Sequence, residues 1–155
     1  GHSSTKGYLA QFLLLIHLIG ISYWIGSFIP LRQLCKSSNY NVISNVAHKF
    51  GVYALFYLSL LIISGMSYSI IILGDISNIF STSYGLVLFM KFILVNILLL
   101  LGALNKFKYV PMIKTDPKNG INKLYFSINF EIFLTIIVFS LTSLLTTSFM
   151  LPMYN

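Results

Sequence analysis

Charge is what this chain has least of. Of its 155 residues only 8% are charged, and only three are acidic, Asp75, Asp116 and Glu131. Soluble domains carry roughly a quarter charged residues, and a domain of this size leaves much of its surface in water. With 57% hydrophobic residues and a mean hydropathy of +0.86, the chain has more apolar surface than one water-facing fold can bury. That excludes a soluble enzyme, a disordered chain and a nucleic-acid binder, and leaves an integral membrane protein. Cysteine is equally scarce. The single Cys35 rules out an internal disulfide and any cysteine-only metal site. HExxH, CxxC and phosphate-binding glycine loops are all missing, so the chain reads as a non-enzyme with no catalytic residues.

What is present falls into four long charge-poor windows. Residues 7–31 and 51–74 carry no charge, 76–105 contain only Lys91, and 124–155 contain only Glu131. A helical crossing needs about 20 apolar residues, so the windows predict helices at about 8–30, 50–73, 84–105 and 125–150. Pro30 is expected to end the first, Gly74-Asp75 the second, and Pro152 follows the fourth. The expected fold is all-α, a four-helix up-down transmembrane bundle over residues 8–155. Residues 1–7 read as an extracytoplasmic stub or a remnant of cloning. Arg32, Lys36 and Lys49 lie between helices 1 and 2, and Lys106, Lys108, Lys114, Lys118 and Lys123 between helices 3 and 4. Basic loops stay in the cytoplasm, which puts both termini outside. Small and polar residues (Gly20, Ser64-Gly65 and Gly102) are expected to let helix backbones approach.

Ionisable groups inside a bilayer are costly and are functional candidates by default. His17 is the imidazole nearest mid-membrane, and it can serve as a metal ligand or as a structural hydrogen-bonding group. Lys91 and Glu131 fall in opposite leaflets, which excludes a direct salt bridge between them. Lys91 can snorkel to the headgroups. Glu131 can be a neutral acid bonded to Asn105 or Asn129, or a proton carrier. His48, beside Lys49, reads as a solvated surface histidine. Met66, Met90, Met150 and Met153 lie toward the same outer side as His17. Thioether and imidazole together suit Cu(I), although methionine also fills packed cores.

These residues resemble a known pattern. His17-x6-Trp24-x-Gly26 is similar to the opening of the copper resistance protein D family. Ser83-Tyr84-Gly85-Leu-Val-Leu-Phe-Met-Lys91 and Leu101-Gly-Ala-Leu-Asn105-Lys106 resemble its third helix. Glu131, Leu144-Leu-Thr146 and Pro152 resemble its last. The likeness runs over about residues 12–152. It departs from the family at Gly26-Ser27, where Gly-Gly is usual, and at Lys49-Phe50-Gly51, where Arg-Phe-Ser is usual. The resemblance implies copper handling at the bacterial inner membrane, commonly uptake toward the cytoplasm. Copper as Cu(I) would pass from the methionines to His17, with Trp24, Tyr84, Lys91, Asn105 and Glu131 as relay or structural polar residues. Partners implied are the lipid bilayer, the copper ion, a periplasmic copper-binding domain or chaperone, and a second copy in a homo-oligomer. Two other classes stay open: a haem-binding (HemJ-like) membrane protein, and a non-transporting membrane partner of a periplasmic copper chaperone.

Overall fold

The computed structural model describes residues 2–73, 80 and 83–147, with side chains described over 7–71, 80 and 83–144. Every described element is helical: α1 (His2–Leu34), α2 (Tyr40–Leu73), α3 (Ser83–Leu104), a π-helical turn (Asn105–Tyr109), α4 (Val110–Thr115) and α5 (Pro117–Thr147). Four stretches are long and apolar enough to cross a membrane: Gly7–Leu34, Tyr40–Ile71, Ser83–Thr115 and Pro117–Leu144. The third runs unbroken through α3, the π turn and α4. This is an all-α, multi-pass membrane bundle.

The helices outrun the hydropathy windows at the basic end. Pro30 does not stop α1, which continues to Leu34. Proline removes one backbone donor, and transmembrane helices tolerate it where neighbours and hydroxyls re-satisfy the freed groups. Asn39 starts α2 ten residues ahead of the window. Its side-chain oxygen accepts the Val42 N–H at 3.2 Å and its carbonyl the Ile43 N–H at 3.1 Å, as an N-cap should. The basic segment after Lys106 is helical too, and Asp116 alone separates α4 from α5. The Asp116 carboxylate accepts the Asn119 backbone N–H at 3.2 Å and its side-chain amide at 2.7 Å, with Pro117 next in the first helical turn. Those amide donors hold the Asp116 carboxyl below the usual carboxylate range.

Apolar residues at helical spacing build the core, and they concentrate toward the basic end. Trp24, Phe28, Leu31 and Cys35 form one stripe on α1, and Ile43, Ala47, Ala54 and Leu61 another on α2. All but Ala54 join one core cluster with Val110 and Ile113 of α4 and Ile121, Leu124, Ile128 and Leu134 of α5. α5 is the central helix, touching α1, α3, the π turn and α4. In α3 only Gly85 and Leu98 are buried, so its apolar faces are turned to lipid. Gly20 abuts Leu61, whose Cβ lies 3.2 Å from where a Gly20 Cβ would sit. Gly102 has nothing within 4 Å and so does not serve the close approach expected of it. Helical serines and threonines satisfy themselves on backbone carbonyls, as Ser59 does on Leu55 (2.7 Å) and Thr142 on Val138 (2.8 Å).

Candidate metal ligand and buried polar site

Two polar features lie inside the bundle, one on each side of its middle. The first is centred on His17. Its ring lies in a notch on α2 that only glycine can leave open. A Cβ on Gly65 would come 2.7 Å from His17 Cε1 and 2.9 Å from Nδ1. Nδ1 is 3.0 Å from the Leu61 carbonyl oxygen. A carbonyl can only accept, so Nδ1 carries the proton and Nε2 of the neutral ring keeps its lone pair. Ser64, buried beside the notch, donates to the same carbonyl at 3.1 Å. Histidines that bind metal commonly fix their second nitrogen on a backbone carbonyl in this way.

Other candidates sit around this point without converging on it. Met66 and Met90 are each 54% exposed, on outward faces of α2 and α3. Met150, Met153 and Pro152 lie outside the described residues, as do Gly74-Asp75. Trp24 is 8% exposed, two turns from His17, and packs against Phe28 with ring centroids 5.8 Å apart. Tyr84 is half-buried at the start of α3. Lys91, also half-buried, has no hydrogen bond or ion pair among the described residues, but it lies close enough to His17 to act on it electrostatically. His48 is exposed. It lies on α2 seventeen residues before the Gly65 notch, about 25 Å along the axis, so His17 and His48 cannot ligate one haem. Among the described residues no three His, Cys, Asp or Glu side chains gather as a metal cluster.

The second feature joins Asn105, Ser127 and Glu131. Glu131 is 2% exposed. Its Oε1 accepts from the Asn105 side-chain amide and, at 3.4 Å, from the Ser127 hydroxyl. Asn129 instead donates to the Tyr125 carbonyl at 3.0 Å, so of the two amides considered for Glu131 it is Asn105 that pairs. Fourteen residues separate Lys91 from Asn105, about 21 Å of helix, which keeps Lys91 and Glu131 far apart. Beside this feature, Lys106 Nζ donates to the Gly51 carbonyl at 2.9 Å and lays its methylenes over that glycine, a contact the sequence did not signal. Adjacent residues at the start of the π turn thus face different helices, Asn105 toward α5 and Lys106 toward α2.

Fold and polar sites together define a four-span membrane protein with an imidazole and a carboxyl inside its bundle. A family model described as copper resistance protein D matches residues 44–145, well over half of the chain, and the chain belongs to that family. The matched residues begin within α2, so they include the Ser64-Gly65 notch, Lys91, Asn105 and Glu131, whereas His17 and Trp24 precede them. No curated protein and no solved structure matches the chain.

Proposed function

We propose that this protein moves copper, as Cu(I), across the bacterial inner membrane toward the cytoplasm, and that His17 Nε2 is the ligand at the centre of the path. The observation that carries this reading is the His17 hydrogen bond. With Nδ1–H committed to the Leu61 carbonyl, the ring is held in the tautomer that offers Nε2 to a soft cation. Cu(I) accepts sparse soft ligand sets, so His17 with thioethers such as Met66 and Met90 toward the outer end is chemically sufficient. Both methionines lie on outward faces of α2 and α3, and Met150 and Met153 are further thioethers toward the outer end by sequence. Asn105 and Glu131 are hard oxygen and amide groups. They match Cu(I) poorly and are given no part in holding it.

The inward direction is what the family resemblance implies, and charge bears on the orientation alone. Eight of the ten basic residues lie between spans 1 and 2 or between spans 3 and 4, so that end belongs in the cytoplasm and both termini outside. A periplasmic copper-binding domain or chaperone would then deliver to the His17 side. The test is a Cu(I) titration of the purified protein in lipid nanodiscs against a chromophoric chelator. Wild type is expected to compete for the metal and His17→Gln to lose at least tenfold in affinity, with unchanged helicity. Wild-type affinity in His17→Gln would reduce His17 to a structural hydrogen-bonding group. A haem absorption band in the purified protein would favour the haem-protein class instead.

A further inference from the structure

The carboxyl of Glu131 has no role in holding Cu(I), yet it is the most deeply buried ionisable group among the described residues. No cation faces it. Lys106, on the adjoining π turn, donates to the Gly51 carbonyl. Arg32, from α1, lies over the Tyr125 ring, 5.5 Å from its centroid. Lys114 on α4 is exposed, and Lys91 on α3 is about 21 Å along the helix. On α5 itself the groups touching the carboxyl are neutral, and on α2 His48 and Lys49 are exposed. A bare carboxylate without a counter-ion is expensive inside a bilayer.

A carboxylate only accepts, whereas a neutral carboxyl accepts at one oxygen and donates from the other. Oε1 already receives Asn105 and Ser127. Asn105 Oδ1 is buried with no donor. The carboxylate therefore lacks a cation while the neighbouring amide lacks a donor. A proton on Glu131 removes the need for a cation and gives the carboxyl a hydrogen to donate. Ser127 has a second aspect: it also lines a shallow cleft of about 320 Å³, walled by Leu101, Phe126 and Phe130, that reaches Tyr109, Asn122 and Lys123 at the basic end. Asn105 opens the π-helical turn, an irregularity that recurs at functional sites.

We propose that Asn105, Ser127 and Glu131 form a proton-binding site. The proton sits on the carboxyl, and it exchanges with water at the basic end past Ser127 and along this cleft. Release leaves the carboxylate and one proton in water; uptake reverses it. The proposal does not rest on copper being the cargo. Glu131 is the only glutamate among the 155 residues, which makes it directly observable. Protein grown with ¹³C-labelled glutamate and placed in nanodiscs should show, at neutral pH, one isotope-shifted carboxylic C=O infrared band. That band should move in D₂O as the cleft admits exchange, and Glu131→Gln should lose it. Asn105→Leu should shift it to higher frequency by removing its bonding partner. A labelled carboxylate band alone at neutral pH would overturn the proposal without any variant needing to fold. Loss of the carboxylic band on adding sodium at fixed pH would make this a sodium site and overturn it too.

Discussion

Gly65→Ala is the sharpest perturbation the His17 notch allows. The added Cβ would meet His17 Cε1 at 2.7 Å and Nδ1 at 2.9 Å. Carbon contacts are comfortable at about 3.5–4.0 Å, so the ring must retreat by roughly 1 Å. That movement stretches its 3.0 Å hydrogen bond to the Leu61 carbonyl beyond useful range. Overpacking of this kind costs about 1–3 kcal/mol, and the hydrogen bond is worth about 1 kcal/mol more. Against this, replacing glycine in a helix returns up to about 1 kcal/mol. The net expectation is a loss of about 1–3 kcal/mol. Gly102→Ala is the control, because its Cβ meets nothing within 4 Å; it should leave stability unchanged or raise it. Thermal unfolding in one detergent compares the two, and imidazole NMR reports the displaced ring. Cu(I) affinity should fall along with stability in Gly65→Ala, about tenfold for each 1.4 kcal/mol lost from the ligand's placement. His17→Ala in the Gly65→Ala background should recover stability by removing the clash. If Gly65→Ala matches Gly102→Ala in melting and in ring resonances, the notch does not hold His17 and the reasoning fails.

Three further outcomes follow from the basic end of the bundle. Gly120→Ala would bring its Cβ 2.7 Å from the Ile113 backbone nitrogen and 3.0 Å from its Cα; backbone yields less than a ring, so the loss should exceed that of Gly65→Ala, at or above about 3 kcal/mol in the same melts. Cys35 is buried, and burial pushes its thiol up to about 11. The thiolate is the reactive form, so maleimide labelling of the folded protein at neutral pH should be far slower than after SDS unfolding. The Asp116 carboxyl is held below its ordinary range by the Asn119 amides. Its stabilisation is therefore complete above the unfolded-state value and lost as pH falls through the folded one, and melts of Asp116→Ala across the acid range should lack that dependence.

Much of the fold was legible because hydrocarbon imposes a length on charge-free sequence. The windows located four apolar crossings. What hydropathy marks, however, is the slab and not the helix. Asn39 and the Asp116-Pro117 pair were local signals for helix starts at the basic end, and they outrank the charges that read as loops there. Pro30 looked like a stop because its missing donor matters most in water. Within the site, Glu131 and His17 stood out by cost alone, and Asn105 was one of two amides within reach of Glu131. The choice between Asn105 and Asn129 depended on the packing of α3 against α5, while Asn129 bonds back to the Tyr125 carbonyl of its own helix. Gly65 was readable as a small residue for close approach. That it makes room for a particular imidazole, and that Lys106 covers Gly51, are tertiary facts that no periodicity encodes.

The central claim is that copper crosses the membrane through the bundle by way of His17. Uptake of Cu(I) into proteoliposomes, followed by a chelator dye trapped inside, tests it most directly. Wild type should raise the internal signal well above protein-free vesicles, His17→Gln should fall to near the vesicle background, and Gly102→Ala should match wild type. Equal uptake by wild type and His17→Gln, or no uptake by correctly inserted wild type, would contradict the account.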